Sequence, residues 1–291
     1  ISLGLVGSEM CIRDRLYTGP GPGGLEMKKL ENKVALVTAC TRGIGYAIAE
    51  TFAREGALVY MACRNIELAN EKAAALNAEG CKVKTVYFEA HDKQSMKDMI
   101  KTAVENEGRL DILVNNFGGT SPRDDLPFQY TNYDKFANYV DMHLSSVFIS
   151  SQEAIRLAME KQKSGCIINI GSVAGITPDT SQVAYGTSKA AIIHLSKMIA
   201  VHAAKDNITC NVVCPGMTAT EAVMNNLTPE FMQFFLKHTP IARMATPQEM
   251  ADAALYFATA PFTTGQVLAV HGGFGVPSPV YGDMLLMANK R

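Results

Sequence analysis

The stretch VALVTACTRGIGYAIAETFA, residues 34–53, joins an apolar run to a glycine-bearing turn and then to an amphipathic segment. The run Val34–Val37 is too short for a helix and contains no polar residue, which predicts a strand buried on both faces of a parallel sheet. Gly43 and Gly45 would let backbone N–H groups approach a pyrophosphate where the next helix begins. The stretch therefore predicts a strand–turn–helix unit that binds a dinucleotide.

The same alternation of short apolar runs and longer amphipathic stretches continues along the chain. The apolar runs predict strands at 34–37, 58–62, 83–88, 112–114, 166–170, 208–213 and 267–270. The stretches between them predict helices at 43–55, 66–79, 93–107, 133–161, 184–205 and 247–259. Repeated strand–helix units of this kind predict an α/β fold, a doubly wound parallel sheet with helices on both faces.

Residues 27–291 contain no Pro-, Gly- or Ser-rich linker and no repeat, so we expect one domain. Residues 1–26 are interpreted differently, as a cloning or sequencing remnant outside the fold. Gly19–Gly24 has the composition of a flexible linker, and Met27 supplies an apparent start before the first strand. The segment Glu9–Arg15 also resembles translated adapter sequence.

Charge and composition exclude several classes of partner. The 291-residue chain has 27 Lys plus Arg against 28 Asp plus Glu, so its formal net charge of −1 gives no electrostatic footprint for nucleic acid or a membrane surface. No apolar run approaches the roughly eighteen residues of a membrane span. The seven cysteines show no CxxC pair and predict buried free thiols in a reducing compartment, the cytoplasm. Cysteine and histidine spacing matches no metal site, so no metal is predicted.

The segment 217–244 breaks the strand–helix rhythm. It is rich in Met, Phe and Leu, is interrupted by Pro229 and Pro240, and separates two predicted strands that a handful of residues would connect. A long apolar insertion at this place predicts a lid over an apolar substrate. Packing against the body of the domain, or a subunit contact, is the alternative.

The end of the second predicted strand indicates which dinucleotide binds. NAD sites commonly place an Asp or Glu there to hold the ribose hydroxyl, whereas this chain has Ala62, Cys63 and Arg64. A guanidinium pairs with a 2′-phosphate that an acidic residue would repel, and Arg42 lies on the glycine turn nearby. The nearest acid, Glu67, is explained by a solvated helix position. The two arginines therefore favour NADP(H).

Three side chains form a candidate catalytic group. Tyr185 and Lys189 are four residues apart at the start of a predicted helix and share one face, and Ser172 lies just past a predicted strand. Reduction of a carbonyl needs a proton donor at oxygen, and oxidation of an alcohol needs a base. A tyrosine can serve as both if its pKa falls from about 10 towards neutrality. We expect the Lys189 ammonium to lower that pKa and the Ser172 hydroxyl to hold the substrate oxygen.

Taken together, these motifs resemble the short-chain dehydrogenase/reductase superfamily over residues 28–276. The matching landmarks are Thr38 with Gly43-Ile44-Gly45, Asn115-Asn116-Phe117-Gly118, Ser172, Tyr185 with Lys189, and Pro215-Gly216 with Thr220. The resemblance implies a single-domain Rossmann-type sheet of about seven strands and a homo-oligomer, either a dimer or a tetramer. Further stretches are similar to bacterial NADP-dependent 7α-hydroxysteroid dehydrogenases, at 41–45, 55–60, 113–120, 178–188 and 265–279.

The resemblance also implies roles for single residues. Asn115 would support the sheet, Glu89 would lie near the adenine, and Lys189 would contact the nicotinamide ribose. The Thr220 hydroxyl would bind the carboxamide. The expected cofactor-binding residues are Thr38, Thr41, Arg42, Gly43, Ile44, Gly45, Arg64, Glu89, Ala90, Asn115, Phe117, Gly118, Tyr185, Lys189, Pro215, Gly216, Thr218 and Thr220.

Two positions depart from the family pattern. The first glycine of the glycine motif is Ala39 here, which requires a turn that tolerates a methyl group. The family's fourth catalytic residue is an Asn that anchors a water of the proton relay, and His143 occupies its position. An imidazole can hold that water or shuttle the proton itself, and it could become charged near Lys189. The alternative is a histidine that fills the space while the relay takes another route.

The resemblance implies an NADP(H)-dependent enzyme that interconverts the 7α-hydroxyl of a bile acid and its 7-ketone, with Ser172, Tyr185, Lys189 and His143 as catalytic residues. One alternative is the same chemistry on another carbonyl, such as a 3-oxoacyl thioester. A second is an NADP(H)-binding sensor without catalysis, which the His143 departure favours and the three intact side chains oppose. The predicted helices 133–161 and 184–205 are the expected subunit interface.

Overall fold

A parallel sheet forms the centre of the computed structural model, which describes residues 28–119, 121, 123–178, 182–225, 228–277 and 280–288. The predicted remnant at residues 1–26 lies outside the described residues. The strands are β1 (Val34–Thr38), β2 (Leu58–Cys63), β3 (Lys82–Tyr87), β4 (Ile112–Asn115), β5 (Gly165–Ile170), β6 (Ile208–Pro215) and β7 (Val267–Val270).

The strand order determines where a ligand can bind. The order is β3-β2-β1-β4-β5-β6-β7, and every neighbouring pair is parallel. The winding direction reverses between β1 and β4, and in open α/β sheets ligands bind beyond the carboxyl ends of the strands at such a reversal. The glycine turn after β1 lies at that point. The predicted seven-stranded, doubly wound Rossmann-type fold is confirmed.

Helices cover both faces of the sheet. They are α1 (Gly43–Arg54), α2 (Ile66–Ala78), α3 (Lys93–Glu107), α4 (Tyr133–Ala154), α5 (Glu160–Gln162), α6 (Val183–Ala203), α7 (Glu221–Met224), α8 (Pro229–Lys237), α9 (Pro247–Thr259) and α10 (Tyr281–Ala288). None of the helices in the described part of the chain is long and apolar enough to cross a membrane.

Burial on both faces explains the unbroken apolar runs. In β1, Ala35 and Val37 belong to the core cluster that also contains buried residues of α1, α2 and α9. Val34 and Leu36 belong to the cluster on the other face, together with residues of α3 and α4. Since both sides of the strand are covered, polar residues would be costly at every position.

The helices differ from the prediction at three places. The predicted helix 133–161 is interrupted by a π-helical stretch, Ile155–Met159, between α4 and α5. The segment 217–244, predicted as a lid with no helix assigned to it, contains α7 and α8, and its residues 226 and 227 lie outside the described part. The helix α10 was not predicted, because its eight residues show too few turns for a periodic pattern.

The structure describes six of the seven cysteines. Cys40, Cys63, Cys166, Cys210 and Cys214 are buried free thiols, and Cys81 is half-buried and free. Cys11 lies outside the described residues. The predicted free thiols therefore agree with the structure wherever it describes a cysteine.

Candidate active site

The turn between β1 and α1 depends on small residues. Gly43 has φ +58°, and a Cβ added there would lie 3.2 Å from Cγ2 of Thr220. A Cβ on Gly45 would lie 2.4 Å from Nδ2 of Asn116 and 2.8 Å from the Ala39 carbonyl oxygen. Ala39 itself has φ +52°, a left-handed conformation that costs a non-glycine residue roughly 1–2 kcal/mol. The turn thus tolerates the methyl group, but in a strained conformation.

Polar side chains join the ends of β1 and β4 beside this turn. The Thr38 hydroxyl accepts hydrogen bonds from the backbone N–H groups of Asn116, at 3.0 Å, and Phe117, at 3.3 Å. The amide of Asn115 donates to Asn169 at 2.8 Å and to Ser151 at 3.1 Å, deep in the sheet. These contacts are consistent with the supporting role expected of Asn115.

The two arginines expected at the 2′-phosphate differ in their partners. Arg42 is exposed, and its side chain makes no capping hydrogen bond at the start of α1. Arg64 forms an exposed ion pair with Glu89 at 3.5 Å, with 78% of its side chain accessible. The two residues were expected at separate parts of the cofactor, Arg64 at the 2′-phosphate and Glu89 near the adenine. Because exposed ion pairs are weak, Arg64 can leave this partner for a phosphate.

Tyr185 and Lys189 extend from the first turns of α6, as predicted. Lys189 is 2% exposed and donates to the Ile170 carbonyl oxygen at 2.7 Å. Its Nζ atom lies 5.6 Å from the centre of the Tyr185 ring, and a Cβ on Gly118 would lie only 2.6 Å from it. The structure therefore brings the lysine, the tyrosine and the segment after β4 together.

The pKa of Tyr185 differs from the prediction. Burial raises the pKa of this phenol above its ordinary value, the Ser172 hydroxyl lowers it by hydrogen bonding, and the charge of Cys214 raises it. The Lys189 ammonium does not offset the desolvation, and burial lowers the pKa of Lys189 itself to about 8. We expected the Lys189 ammonium to lower the pKa of Tyr185 towards neutrality, whereas in the structure burial raises that pKa, because both groups are desolvated together.

His143 is fully buried beside this group. Its ring meets the Tyr185 ring edge to face at 5.9 Å, and its Nε2 atom lies 3.0 Å from the Gly119 carbonyl oxygen. Nδ1 has no hydrogen-bond partner within the described part of the chain. Burial, and then the charge of Lys189, lower the pKa of His143 to about 4. The possibility of a charged imidazole next to Lys189 is therefore contradicted, and the ring is neutral near pH 7.

The segment after β6 closes the site from the other side. Gly216 donates to the Val270 carbonyl oxygen at 2.9 Å, and the Thr218 hydroxyl donates to the Gly216 carbonyl oxygen at 3.0 Å. The Thr220 hydroxyl accepts from the N–H of Val223 at 3.3 Å and so caps α7. Pro215 and Ala90 are buried, while Thr41 and Ile44 are half-buried at the turn.

The candidate lid is attached to the end of the described chain. Phe235 of α8 stacks on Phe274 with ring centres 4.4 Å apart. Lys237 of α8 forms an ion pair with Asp283 of α10 at 2.6 Å. Phe231 and Phe234 remain exposed on α8. Helix α8 therefore carries two side chains that contact the C-terminal part of the described chain and two apolar side chains that are exposed.

Asp125, which was not among the predicted site residues, contacts α6, the helix that carries Tyr185 and Lys189. Asp125, 2% exposed, accepts hydrogen bonds from the N–H groups of Ala184 and Tyr185 at 2.8 and 2.9 Å. Sequence patterns gave no signal, because the carboxylate and these N–H groups are about sixty positions apart. Among the described residues, no group of three His, Cys, Asp or Glu is placed to hold a metal ion.

A glycine turn at the sheet reversal, with a half-buried tyrosine and a buried lysine and serine near it, defines an oxidoreductase of the Rossmann class. The chain belongs to the short-chain dehydrogenase/reductase family. A family model described as enoyl-(acyl carrier protein) reductase matches residues 38–275.

Within this family, the chain is similar to named dehydrogenases and reductases and to solved structures. A 7α-hydroxysteroid dehydrogenase of Clostridium sardiniense is 43% identical over 88% of this chain and 98% of its own length. A 3-oxoacyl-[acyl-carrier-protein] reductase of Chlamydia muridarum is 34% identical over 84% of this chain and 98% of its own. A solved 7α-hydroxysteroid dehydrogenase complexed with NADH and 7-oxo glycochenodeoxycholic acid has a TM-score of 0.80 and 34% identity, covering 85% and 96% of the two chains.

Proposed function

We propose that this enzyme is an NADP(H)-dependent oxidoreductase that interconverts the 7α-hydroxyl of a bile acid and its 7-ketone. The observation that supports the reaction best is the group of Tyr185, Ser172 and Lys189 at the sheet reversal. The relative that shares 43% identity and the name 7α-hydroxysteroid dehydrogenase supports the substrate. We further propose that the enzyme acts in the cytoplasm.

The residues at the sheet reversal fit a nicotinamide dinucleotide. Gly43 and Gly45 leave the backbone of the turn open where a Cβ would collide with its neighbours. The N-terminus of α1 favours the charge of a pyrophosphate, and Gly118 leaves room beside Lys189 for a ribose. When bound, the nicotinamide would accept or supply the hydride.

The positive charges of Arg42 and Arg64 favour NADP(H) over NAD(H). Arg42 is exposed at the turn without a cap bond, and Arg64 has only the weak pair with Glu89. The last two residues of β2 are Ala62 and Cys63, so the strand itself places no carboxylate near the expected 2′-phosphate. A guanidinium can pair with a 2′-phosphate there.

In the proposed mechanism Tyr185 moves the proton. During oxidation its phenolate would accept the proton of the substrate hydroxyl, and during reduction the phenol would donate to the forming alkoxide. Ser172 would donate to the same oxygen and hold it, since hydrogen bonding to its hydroxyl lowers the pKa of Tyr185. Lys189 would contact the ribose and stabilise the phenolate whenever its own amine is charged, which its pKa of about 8 allows at neutral pH.

We propose a proton-relay contact for His143, with Nδ1 as its free acceptor. The neutral ring uses Nε2 towards Gly119, which leaves Nδ1 without a protein partner in the described part of the chain. Since the ring meets Tyr185 at its edge, His143 also limits where the phenol can lie.

An apolar lid suits a steroid. The exposed rings of Phe231 and Phe234 and the exposed side chain of Met224 would cover an apolar substrate held between the segment after β4 and the lid. This part of the proposal extends the lid prediction for residues 217–244.

A homo-oligomer is also proposed, through α4 and α6. Phe148 of α4 and Met198 and Val201 of α6 are exposed apolar residues, with Leu144, Ala191 and Leu195 lining a shallow groove between them. Such an apolar face is typical of a subunit contact.

The test is initial-rate oxidation of four bile acids, followed as NADPH absorbance and repeated with NAD. Cholate and chenodeoxycholate carry the 7α-hydroxyl, deoxycholate lacks a 7-hydroxyl, and ursodeoxycholate has it on the opposite face. We expect turnover of the first two only, and faster with NADP. No turnover of any of the four, with NADPH still bound, would contradict the substrate.

A second candidate function is reduction of a 3-oxoacyl thioester. The identity with the 3-oxoacyl-[acyl-carrier-protein] reductase, and the description of the family model, favour it. The same site chemistry would apply. NADPH oxidation with acetoacetyl-CoA at a rate above that of the bile-acid ketones would select this function instead.

A further inference from the structure

The catalytic helix α6 begins without a side-chain cap of its own. Its N-cap residue, Gln182, has φ +59° and makes no capping hydrogen bond through its side chain. The first backbone N–H groups of a helix have no partner inside the helix and need acceptors from elsewhere. In α6 these groups include the N–H of Tyr185.

Asp125 supplies both acceptors from the segment between β4 and α4. Its Oδ1 atom accepts from Ala184 at 2.8 Å and its Oδ2 atom accepts from Tyr185 at 2.9 Å. The carboxylate is 2% exposed and forms no ion pair with any described residue. A buried carboxylate is costly unless it is hydrogen-bonded, and a helix N-terminus stabilises its charge.

We propose that Asp125 is a positioning residue for the reaction of Tyr185: its carboxylate fixes the backbone of the tyrosine so that the phenol lies against the Ser172 hydroxyl. The proposal rests on the proposed catalytic function of Tyr185. One of the two hydrogen bonds is donated by the backbone nitrogen of Tyr185, which is bonded to the Cα that carries the tyrosine side chain. A shift at this nitrogen is therefore transmitted directly to the phenol.

The first turns of α6 are also fixed by close backbone packing. A Cβ on Gly186 would lie 3.1 Å from the Ala174 carbonyl oxygen, and one on Gly175 would lie 2.7 Å from the backbone nitrogen of Ala190. Both contacts involve the 3₁₀ turn Val173–Gly175 that Ser172 caps. The first turns of α6 are thus held both by the serine turn and by Asp125.

The same segment after β4 also reaches the histidine. Nε2 of His143 lies 3.0 Å from the Gly119 carbonyl oxygen and 3.3 Å from the Gly119 N–H, and the neutral ring bonds to one of the two according to its tautomer. The N–H of Ser121 donates to the Tyr139 hydroxyl at 3.2 Å. This segment therefore links α4 and α6, and Asp125 is its contact with α6.

The position of the phenol controls its ionisation. The titratable groups that face Tyr185 are His143 from α4, Lys189 from α6 and Cys214 from β6. The Ser172 hydrogen bond lowers the pKa of Tyr185, whereas burial and Cys214 raise it. If the phenol moves away from Ser172, its pKa rises.

The test compares Asp125→Asn with its neighbour Asp124→Asn. Asp124 lies on the same segment but contacts Lys135 and Tyr139, not α6. An amide at 125 keeps one acceptor and places its NH₂ against the other N–H. We expect kcat to fall about tenfold to a hundredfold and the pH profile of alcohol oxidation to move to higher pH, with the KM of the cofactor unchanged. Asp124→Asn should behave like the wild type.

A second measurement does not depend on any substrate. Tyrosine labelled with ¹³C at Cζ reports ionisation by NMR, and Tyr185→Phe identifies the signal of Tyr185. We expect a smaller ionised fraction of Tyr185 at a fixed alkaline pH in Asp125→Asn than in the wild type. If the wild type oxidises no bile acid, the proposed substrate fails while this comparison still tests Asp125.

A loss of thermal stability alone would overturn the proposal. Asp125→Asn would then unfold more easily but keep the wild-type pH profile and the wild-type ionised fraction, as a purely structural cap would. In a Ser172→Ala background we expect Asp125→Asn to produce no further shift of the pH profile. If Asp125→Asn does not fold, Asp125→Glu keeps the charge, displaces the carboxylate by one methylene, and is compared in the same way.

Discussion

At the scale of single residues, the environment of Tyr185 and Lys189 favours their neutral forms. Burial raises the pKa of the phenol and lowers that of the lysine to about 8. The Ser172 hydroxyl works in the opposite direction on the phenol. Oxidation, which needs a phenolate, should therefore be faster in alkaline solution than at neutral pH.

His143 makes the stability of the protein depend on pH. Its pKa is about 4 in the folded protein against 6.5 for an ordinary histidine, so the unfolded chain binds the proton more strongly between these values. Acidification through that window therefore favours unfolding. We expect the contribution of His143 to the free energy of unfolding to fall by roughly 2 kcal/mol between about pH 7 and about pH 5.

His143→Asn is the matched variant, because the amide can still bond to Gly119 and does not titrate. Urea unfolding of both proteins at the two pH values measures the difference. The wild type should lose about 2 kcal/mol more than the variant. Equal losses would show that the imidazole is not held neutral by burial.

At the scale of the elements, the strands were predicted to within one or two residues. Both faces of β1 and β5 are buried, which is why their short apolar runs predicted the strands correctly. The helix α8 was not predicted. Its apolar residues were interpreted as a lid, and Pro229 and Pro240 interrupt the sequence in which a helical periodicity would be recognised. The Asp125 cap on α6 and the Arg64–Glu89 pair join distant positions, and only the folded chain reveals them.

The clamp between α8 and α10 should affect the substrate more than the cofactor. Lys237 and Asp283 hold the candidate lid at 2.6 Å, and exposed ion pairs contribute about 0–1 kcal/mol. We expect Lys237→Ala and Asp283→Asn each to raise the KM of the steroid roughly two- to fivefold, with the KM of NADP unchanged.

Lys101→Ala is the control for the clamp, because Lys101 forms an exposed pair with Glu105 on α3, a helix that contributes no candidate site residue. Steady-state kinetics on the three variants provide the comparison. An unchanged steroid KM in both clamp variants would argue against α8 as a lid.

At the scale of the whole molecule, the apolar face of α4 and α6 is expected to bury itself in an oligomer. Phe148→Glu and Met198→Glu place charges on that face, where desolvation would be costly. We expect each variant to elute as a smaller species than the wild type in size-exclusion chromatography with light scattering.

Tyr87→Glu is the control for the interface, since Tyr87 is an exposed residue at the end of β3, an edge strand of the sheet, and not part of α4 or α6. It should keep the wild-type mass. A monomeric wild type, or interface variants with the wild-type mass, would exclude α4 and α6 as the contact.

The most direct test of the account compares the wild type with Tyr185→Phe in the oxidation of cholate by NADP. The variant keeps the ring against His143 and removes only the hydroxyl that we propose moves the proton. We predict NADPH formation by the wild type, a loss of about a hundredfold or more in kcat for the variant, and equal NADPH binding by both. A variant that turns over cholate at the wild-type rate would contradict the assignment of Tyr185 as the catalytic acid and base.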